Sequence, residues 1–569
     1  MLRDKSFNIS IETLKDRHLY VLISIVGLLL YVKTVLFSFT YNDDYRLIVM
    51  NSELLGHLSN IPKFFTKDVF ISIPNARLFF RPLLNISLML DAQVAGESPS
   101  FYHLTNVLLH IACSLLVFVL FRKLYSRRVA AAGAAIIFSV HPLLASSVAW
   151  IPGRNDSLFT LFALSSFIFF LRILEKRRPQ DFIFHALFLG LALLTKETAV
   201  ILPVMALLYI VIVRRETREK RLIFGFVLIW LLMISFWWYL RSNVSQNFVL
   251  SETMNDSIAV WLSKVPSLVL YIGKAVFPFN LSVFPNVYDN GLWWGAVAMV
   301  LLALLMFTGG EKNYRSIVWG MLWFFLFLAP SLLGGNVLLE HRAYCSMVGF
   351  LIAVYEFPIV KKLSSHKNIA LILYIACVTV FGVTAYVHSE HYRDREAFCT
   401  NAYQQSPSLD DSYSNLAGMF IDHGQYDFAE KVILNGLTRN DSMKVVHRLL
   451  GDIYASKGEN DKAEREYKIS LLIEPLHLQT YVSYGKLCLS EGRLDETERL
   501  WRTSVAIEPD FILGYYLLAN FFLLQRDNPM TAALYAQEIE KRGSVVMPEL
   551  LSQIAHHPKN RLQNNGSRK

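Results

Sequence analysis

Residues 19–39 read LYVLISIVGLLLYVKTVLFSF, an apolar run that is long enough to cross the hydrocarbon core of a bilayer. It is too long for the core of a signal peptide and lacks a small-residue cleavage site, so we interpret it as a retained membrane helix. The pattern continues to about residue 390 and predicts an all-α fold, with a polytopic helical membrane domain of about 11 spans. The further apolar runs lie near 104–121, 130–147, 157–174, 182–195, 199–213, 222–240, 292–308, 316–333, 344–360 and 369–388.

The composition excludes a soluble protein. Hydrophobic residues make up 54% of the 569 residues and charged residues only 18%, whereas a water-soluble domain carries about a quarter charged residues. An ordinary soluble enzyme and a disordered chain are therefore both excluded. The five cysteines form no CxxC pair and no His/Cys cluster, which excludes a disulfide scaffold and a zinc site of the usual spacing. We predict no metal site from these residues.

The net charge of +9 is concentrated in short clusters between the apolar runs. This distribution is typical of membrane topology and argues against a nucleic-acid partner. Because the positive clusters fall in alternate loops, we predict a cytoplasmic N-terminus and an extracytoplasmic location for everything after about residue 390. The clusters are Arg3/Lys5/Lys15/Arg17, Arg122/Lys123/Arg127/Arg128, Arg172/Lys176/Arg177/Arg178, Arg214/Arg215/Arg218/Lys220/Arg221, Lys312/Arg315 and Lys361/Lys362/Lys367.

A second pattern begins near His391, where small and aromatic residues recur with a period of 34 residues. Leu416-Ala417 aligns with Leu450-Gly451 and then with Tyr484-Gly485. The pattern resembles the tetratricopeptide repeat, in which small residues let paired helices approach and large ones fill the seam. It predicts an α-solenoid. The predicted domains are 1–390 for the membrane domain, 391–545 for the repeats and 546–569 for a polar tail.

The first candidate site follows the first apolar run, on the outer side of the membrane, where Asp43 and Asp44 are adjacent. Two neighbouring carboxylates suit proton abstraction from a hydroxyl group or the binding of a cation, because their mutual repulsion raises one pKa. The alternative is a solvated turn in which an Asp caps the following helix.

Several other polar residues lie close to predicted helix ends on the outer side. Arg81 could grip a phosphate bidentately or extend its side chain from an interfacial helix. Lys196 and Glu197 interrupt a long apolar stretch, and such a pair between two spans favours a functional role. His103 and Asn106, about one helical turn apart, could line a cavity or cap and pack a helix. The turn that contains Arg154 and Asp156 could be a polar-ligand loop, or Asp156 could merely cap the next helix. Arg342 could contact a lipid phosphate or pair with Glu340 at the headgroups. Seven candidates remain beside Asp43, Asp44, Arg81, Lys196 and Glu197. They are His103, Asn106, His141, Arg154, Asp156, Glu340 and Arg342.

The topology places the carboxylates and the cations on one membrane face. Asp43, Arg81 and Lys196 belong to this set, together with Arg154 and Arg342. A carboxylate among several cations at a bilayer surface suits a reaction on an anionic lipid, in which the cations hold a phosphate leaving group and the carboxylate activates an acceptor.

The order of these motifs, followed by a repeat array, resembles the transmembrane-and-tetratricopeptide-repeat O-mannosyltransferase family. More broadly, the chain is similar to the GT-C membrane glycosyltransferases, which include the protein O-mannosyltransferases. The resemblance covers about residues 19 to 540. It is carried by Asp43-Asp44, Arg81-Pro82-Leu83, Tyr102-His103-Leu104-Thr105-Asn106, His141-Pro142, Gly153-Arg154-Asn155-Asp156, Lys196-Glu197-Thr198 and Glu340-His341-Arg342-Ala343-Tyr344.

The resemblance implies transfer of a sugar, with mannose the first candidate, from a polyprenyl-phosphate donor to a hydroxyl acceptor, with inversion at the anomeric carbon. It implies that Asp43 is the general base and that Asp44 is its neighbour or a cation ligand. Arg81, Lys196 and Arg342 would then neutralise the lipid phosphate. The other candidates would bind substrate or support these residues. No organic cofactor is expected, and a divalent cation near Asp43 and Asp44 is left open.

The acceptor implied by the resemblance is Ser or Thr of exported proteins, or a glycan, held by the repeat groove. Because the repeat array is short for the animal members, we expect a bacterial or archaeal plasma membrane in preference to the endoplasmic reticulum. Two other classes stay open. One is a non-catalytic membrane scaffold whose repeats recruit partners, and the other is a polyprenyl-lipid flippase. A flippase predicts charges deep within the spans, of which the sequence offers few.

Overall fold

The structure is a computed structural model that describes residues 15–71, 79–215, 220–244, 264–308, 312–330, 338–363, 367–542 and 546–558. The prediction of an all-α protein is confirmed, since the described residues are predominantly helical and contain no β-strand. The chain divides into two compact units, Met1–Ser406 and Pro407–Lys569. The end of the predicted tail, from residue 559 onward, lies outside the described residues.

The first unit holds helices α1 to α18, joined by short 3-10 turns. Their bounds are α1 Asp16–Tyr31, α2 Asp43–Leu47, α3 Ser52–Leu55, α4 Pro82–Ala95, α5 Pro99–Tyr125, α6 Arg128–Val140, α7 Ser146–Ala149, α8 Arg154–Lys176, α9 Pro179–Thr195, α10 Ile201–Leu208, α11 Lys220–Val244, α12 Pro266–Val276, α13 Trp293–Phe307, α14 Tyr314–Leu328, α15 Ser346–Tyr355, α16 Pro358–Leu363, α17 Lys367–Ser389 and α18 Arg395–Gln405.

Among the described residues, six helical stretches are long and apolar enough to cross a bilayer, and a seventh is added if one bent pair counts as a span. The bent pair is α6 with the segment Pro142–Ala149, which meet at 56°. The predicted span at 130–147 is broken here because Pro142 has no amide hydrogen to continue the helix. Several further helices are apolar but short, so the count of about 11 spans stays a prediction.

Close helix packing holds the membrane unit together. Gly320 of α14 and Gly349 of α15 face each other so closely that a methyl group at either would collide with the backbone of the other helix. Small residues at such crossings let helix backbones approach within a membrane, where dispersion contacts drive association. Trp319 and Trp323, both fully buried, pack beside this crossing against Phe167 of α8.

The second unit consists of antiparallel helix pairs. Four of its helices begin at Asp410, Lys444, Leu478 and Ile512, which reproduces the 34-residue period of the sequence. A methyl group at Gly451 would collide with the ring of Tyr467, as the repeat pattern predicts for a small residue facing a large one. The helices are α19 Asp410–Asp422, α20 Tyr426–Arg439, α21 Lys444–Ser456, α22 Asn460–Ile473, α23 Leu478–Ser490, α24 Leu494–Ile507, α25 Ile512–Leu524, α26 Pro529–Lys541 and α27 Pro548–His556.

Two boundaries differ from the sequence prediction. The membrane unit extends to Ser406 instead of residue 390 because α18 packs against it, with Asn401 Oδ1 accepting a hydrogen bond of 3.0 Å from the Val283 amide. In addition, α27 lies inside the predicted polar tail. Its residues Leu550 and Ile554, one helical turn apart, are buried against the end of the repeat unit.

Candidate functional site

The carboxylate pair lies in a tight turn between α1 and α2. Asp44 is buried, and its two oxygens accept four hydrogen bonds, from the Thr40 amide (2.5 Å), the Thr40 hydroxyl (3.0 Å), the Asn42 amide (2.9 Å) and the Tyr45 amide (2.9 Å). Burial raises the pKa of Asp44, while the donors act in the opposite direction. Both oxygens of Asp44 therefore stabilise the turn.

Asp43 differs sharply from Asp44 in its surroundings. Its side chain begins α2 and retains 33% of its surface exposure, with the guanidinium of Arg46 4.0 Å away. Burial of the surrounding surface raises the pKa of Asp43, and the charges of Arg46 and Arg81 partly oppose this rise. Asp43 is therefore an accessible carboxylate whose affinity for a proton is increased, as proton abstraction requires.

Arg81 and Glu197 form a two-point ion pair. Arg81 Nε and Nη2 donate to the two oxygens of Glu197 at 3.1 and 2.5 Å, and the guanidinium lies 4.2 Å from the ring centre of Phe79. Glu197 is presented here because α9 ends at Thr195 and the chain continues directly into a 3-10 turn. These two hydrogen bonds hold the plane of the Arg81 guanidinium in place. The third nitrogen of Arg81, Nη1, takes no part in this ion pair.

Lys196 is joined to Asp156 at the start of α8. Lys196 Nζ donates to Asp156 Oδ1 at 2.6 Å, and His341 Nε2 lies 4.0 Å from the other oxygen of Asp156. The extended conformation of Lys196 turns its side chain away from α9 and toward α8. Asp156 consequently connects Lys196 to the 3-10 turn Glu340–Ala343, which carries Arg342.

His341 lies within electrostatic range of the three predicted phosphate-binding residues. Burial lowers the pKa of His341 well below its ordinary value, and the positive charges of Lys196, Arg342 and Arg81 lower it further. The ring is therefore neutral among three cations. We call Arg81, Lys196 and Arg342 the cation cluster. All three are predicted phosphate-binding residues; Arg81 and Lys196 lie within electrostatic range of each other, and Arg342 directly follows His341 in the chain.

The carboxylate turn is linked to this cluster through Trp150. The indole ring of Trp150 lies 5.5 Å from the His341 ring, and its Nε1 donates to Thr40 Oγ1 at 3.2 Å. The same Thr40 hydroxyl donates to Asp44. Asp43 also interacts electrostatically with Arg81. The carboxylate turn is thus linked to His341 through Trp150 and to Arg81 through the charge of Asp43.

Arg154 lies inside the fold and not on a ligand loop. Its guanidinium is fully buried and pairs with Asp91 of α4 at 2.5 Å. It also donates to Asn106 Oδ1 at 2.7 Å and to the Tyr102 carbonyl oxygen at 2.7 Å. Asn106 in turn donates to three carbonyl oxygens around Trp150, at 3.1 to 3.4 Å. These two candidates therefore brace the segment that carries Trp150 and Asp156.

Three other candidates are also enclosed. His103 is buried and faces the ring of Phe37, and His141 caps the turn after α6 by accepting a hydrogen bond from the Leu143 amide at 3.3 Å. Glu340 binds Lys274 at 2.7 Å and His388 at 2.9 Å. Burial alone would raise the pKa of Glu340, but its contacts with Lys274 and His388 lower this pKa to about 2. Glu340 therefore anchors the turn that presents His341 and Arg342.

The sequence leaves a divalent cation open near Asp43 and Asp44. Within the described ranges, no group of three or more His, Cys, Asp or Glu side chains is arranged to hold a metal ion, and a divalent cation near Asp43 stays an untested prediction.

Sequence reasoning missed Asp91, the partner of Arg154, and Arg241, which interacts electrostatically with Glu197 and Arg81. The signal was present in both cases, because a lone charge inside an apolar helix normally has a partner or a function.

Comparison with known proteins bears on this site. Residues 82–239 match the family model described as dolichyl-phosphate-mannose-protein mannosyltransferase. Protein O-mannosyl-transferase Tmtc1 of Drosophila melanogaster is 31% identical over 183 residues, which cover 31% of this chain and 21% of that protein. The resemblance to the protein O-mannosyltransferases is confirmed. The matched segment of the family model includes Asp156, Lys196 and Glu197 and excludes the carboxylate turn and Arg342.

Two further protein O-mannosyltransferases show how far the likeness extends. TMTC2 of Mus musculus is 29% identical over 35% of this chain and 25% of its own length, and F38B6.6 of Caenorhabditis elegans is 23% identical over 75% of this chain and 63% of its own length. The chain thus spans about a fifth to a quarter of the length of the first two relatives. A solved structure, that of MamA, aligns with 26% of this chain at a TM-score of 0.23 and 14% identity, and no argument rests on it.

Proposed function

We propose that this protein is an integral-membrane glycosyltransferase that moves mannose from a polyprenyl-phosphate donor to a Ser or Thr hydroxyl of an exported protein. The observation that carries the proposal is the juxtaposition of an accessible carboxylate, Asp43, with the cation cluster. The named protein O-mannosyltransferase relatives support the same reaction class.

The reaction is a single displacement. Asp43 accepts the proton of the acceptor hydroxyl while that oxygen attacks the anomeric carbon of the sugar. The bond between the anomeric carbon and the phosphate oxygen breaks on the opposite face, and the electron pair leaves with the phosphate. Arg81, Lys196 and Arg342 stabilise the negative charge that accumulates there. One displacement inverts the anomeric configuration.

The surrounding residues hold this geometry. Asp44 fixes the turn that presents Asp43, and Trp150 keeps the turn in register with His341. Glu197 and Asp156 restrain Arg81 and Lys196, which reduces the reorganisation needed when the phosphate arrives. His341 stays neutral, so it packs among the cations without adding a repelling charge.

The remaining elements of the proposal concern location and acceptor. The site faces the extracytoplasmic side, as the positive loops predict, and a prokaryotic plasma membrane is the proposed membrane. The repeat unit presents the acceptor polypeptide. The test of the whole proposal is reconstitution of the full chain in vesicles with polyprenyl-phosphate mannose and a Ser/Thr-rich peptide. Mannosylated peptide supports the proposal, and an unmodified peptide beside intact donor contradicts it.

The acidic limb of the pH–rate profile tests the base. Protonated Asp43 cannot accept a proton, so the rate is lost as the pH falls through the pKa of this carboxyl group. Because burial raises that pKa above the ordinary value of 3.8, we expect the loss to begin at a higher pH than for a free aspartate. Arg46→Gln, which removes a cation that lowers this pKa, should move the limb to higher pH. A rate that is constant down to about pH 4 in both proteins would exclude this role.

Replacing Arg342 tests the phosphate contact. Arg342→Gln should raise the donor KM by about tenfold or more while the acceptor KM changes little, because a charge-assisted contact to phosphate is lost. Arg342→Lys should recover part of the donor affinity. Arg393→Gln is the matched control, since Arg393 is largely exposed and pairs with its neighbour Asp394 at the surface. An unchanged donor KM in Arg342→Gln would remove Arg342 from the phosphate site.

A further inference from the structure

One face of α11 is directed into the protein. Phe226, Trp230, Trp237 and Val244 are its buried residues, and their spacing of four and seven positions defines a single helical stripe. Arg241 falls on the same stripe, one turn after Trp237, and its guanidinium lies 5.4 Å from the Trp237 ring. The opposite side of the helix is open to lipid. Its exposed residues are Leu228, Leu231, Leu232, Phe236, Trp238 and Tyr239.

Contacts with α9 set the depth of Arg241. Phe182 stacks on Phe226, and Trp230 Nε1 donates to His185 Nε2 at 2.9 Å. Later residues of α9 therefore meet later residues of α11, so the two helices run in the same direction. Both helices rise about 1.5 Å per residue, so the residues of α9 and α11 that follow the His185–Trp230 contact keep the same offset along the chain. The register therefore places Arg241 at the same level as Lys196 and Glu197, just after α9.

The charges at this level agree with the register. Arg241 interacts electrostatically with Glu197, Arg81 and Asp68. Both oxygens of Glu197 already accept hydrogen bonds from Arg81, and Arg241 is a second guanidinium within electrostatic range of the same carboxylate. Charges on an inward helix face near a bilayer are costly and mark sites for ionic ligands. Two guanidinium groups converging on one position are typical of phosphate recognition.

We propose that Arg241 is a further phosphate-binding residue, which contacts the phosphate of the lipid-linked donor as the lipid arrives from the bilayer along α11. The proposal rests on the proposed function, and it extends the donor site from the cation cluster to the lipid-exposed helix. Arg241 is only partly buried and lies at the margin of the inward stripe, so a lipid phosphate can reach it from the side of α11. The ligand class is a polyprenyl phosphate, and other anionic phospholipids are the alternative source of the same chemistry.

The test uses the full chain in nanodiscs of neutral phosphatidylcholine, with two readouts. The first is equilibrium binding of a fluorescent polyprenyl monophosphate, which requires no sugar transfer. The second is the donor KM and kcat with polyprenyl-phosphate mannose. The variants are Arg241→Gln, Arg241→Lys and the matched control Arg221→Gln, which removes an Arg from the opposite end of the same helix. Phosphatidylserine and inorganic phosphate serve as competitors.

We expect Arg241→Gln to weaken polyprenyl-phosphate binding about tenfold and to raise the donor KM by a similar factor, with kcat within about twofold of the unsubstituted protein. Arg241→Lys should recover part of the loss, and Arg221→Gln should have no effect. Unchanged binding in Arg241→Gln would overturn the proposal, as would equal competition by phosphatidylserine. If binding depends on Arg241 but the unsubstituted protein transfers no sugar, the proposed function fails and the phosphate site stands.

Discussion

Asp43→Asn is expected to reduce sugar transfer by about a thousandfold, because the amide cannot take the proton of the acceptor hydroxyl. The substitution preserves shape, and the side chain is one-third exposed, so the free energy of unfolding should change by less than about 0.5 kcal/mol. The measurement is the initial rate of peptide mannosylation by the reconstituted protein, together with its thermal unfolding midpoint.

Two comparisons sharpen this experiment. Glu53→Gln is the matched control, since it removes an exposed carboxylate from the neighbouring short helix α3 and should leave the rate unchanged. Asp44→Asn should also lower the rate, but through the turn, because its amide nitrogen cannot accept the hydrogen bonds that the carboxylate receives. A cellular phenotype that survives Asp43→Asn intact would instead favour the non-catalytic scaffold.

Arg154→Met is expected to lower the free energy of unfolding by about 3–5 kcal/mol, because it leaves Asp91 buried without its cation. Methionine keeps the length of the side chain, so lost packing contributes little. Asp91→Asn in the same protein should restore part of the stability, since it removes the uncompensated charge. The measurement is the unfolding midpoint of the purified protein in nanodiscs, with the fraction recovered as a monodisperse species.

Arg128→Met is the control for this substitution, because Arg128 is half-exposed and pairs with Asp16 at the surface, where ion pairs contribute little. The result also separates two roles for Arg154. If Arg154 has a structural role, Arg154→Met should lower the stability and the activity of the protein together. A residue that binds substrate would lose activity while the unfolding midpoint stayed constant, and that outcome would contradict the structural role assigned to Arg154.

The sequence predicted the helical class and the 34-residue repeat period, whereas the phosphate-binding roles of Arg81, Lys196 and Arg342 stay predictions. The length of an apolar run and the 34-residue spacing are local patterns. They predict the structure well because each helix or helix pair consists of contiguous residues. Lys196 and Arg342 were recognisable because a charge next to an apolar run is costly. We expect both at one membrane face, because alternate helix ends meet there.

Other features depend on partners distant in sequence. Nothing in the adjacent pair Asp43-Asp44 distinguishes the two carboxylates, and only the four hydrogen bonds to Asp44 assign it to the turn. From the sequence alone, Arg154 fits a ligand-binding role as well as a structural one, and only its ion pair with Asp91 assigns it to the interior. The bend after α6 was foreseeable from Pro142, but hydropathy averages over such breaks and therefore overstates the continuity of a span.

The most direct test of the account is a comparison of glycopeptides from exported proteins of cells that express the intact protein, the Asp43→Asn variant or neither. The account predicts hexose on Ser and Thr hydroxyl groups only in cells with the intact protein, and the loss of the same modified peptides in the other two. Identical glycopeptides in all three would contradict it.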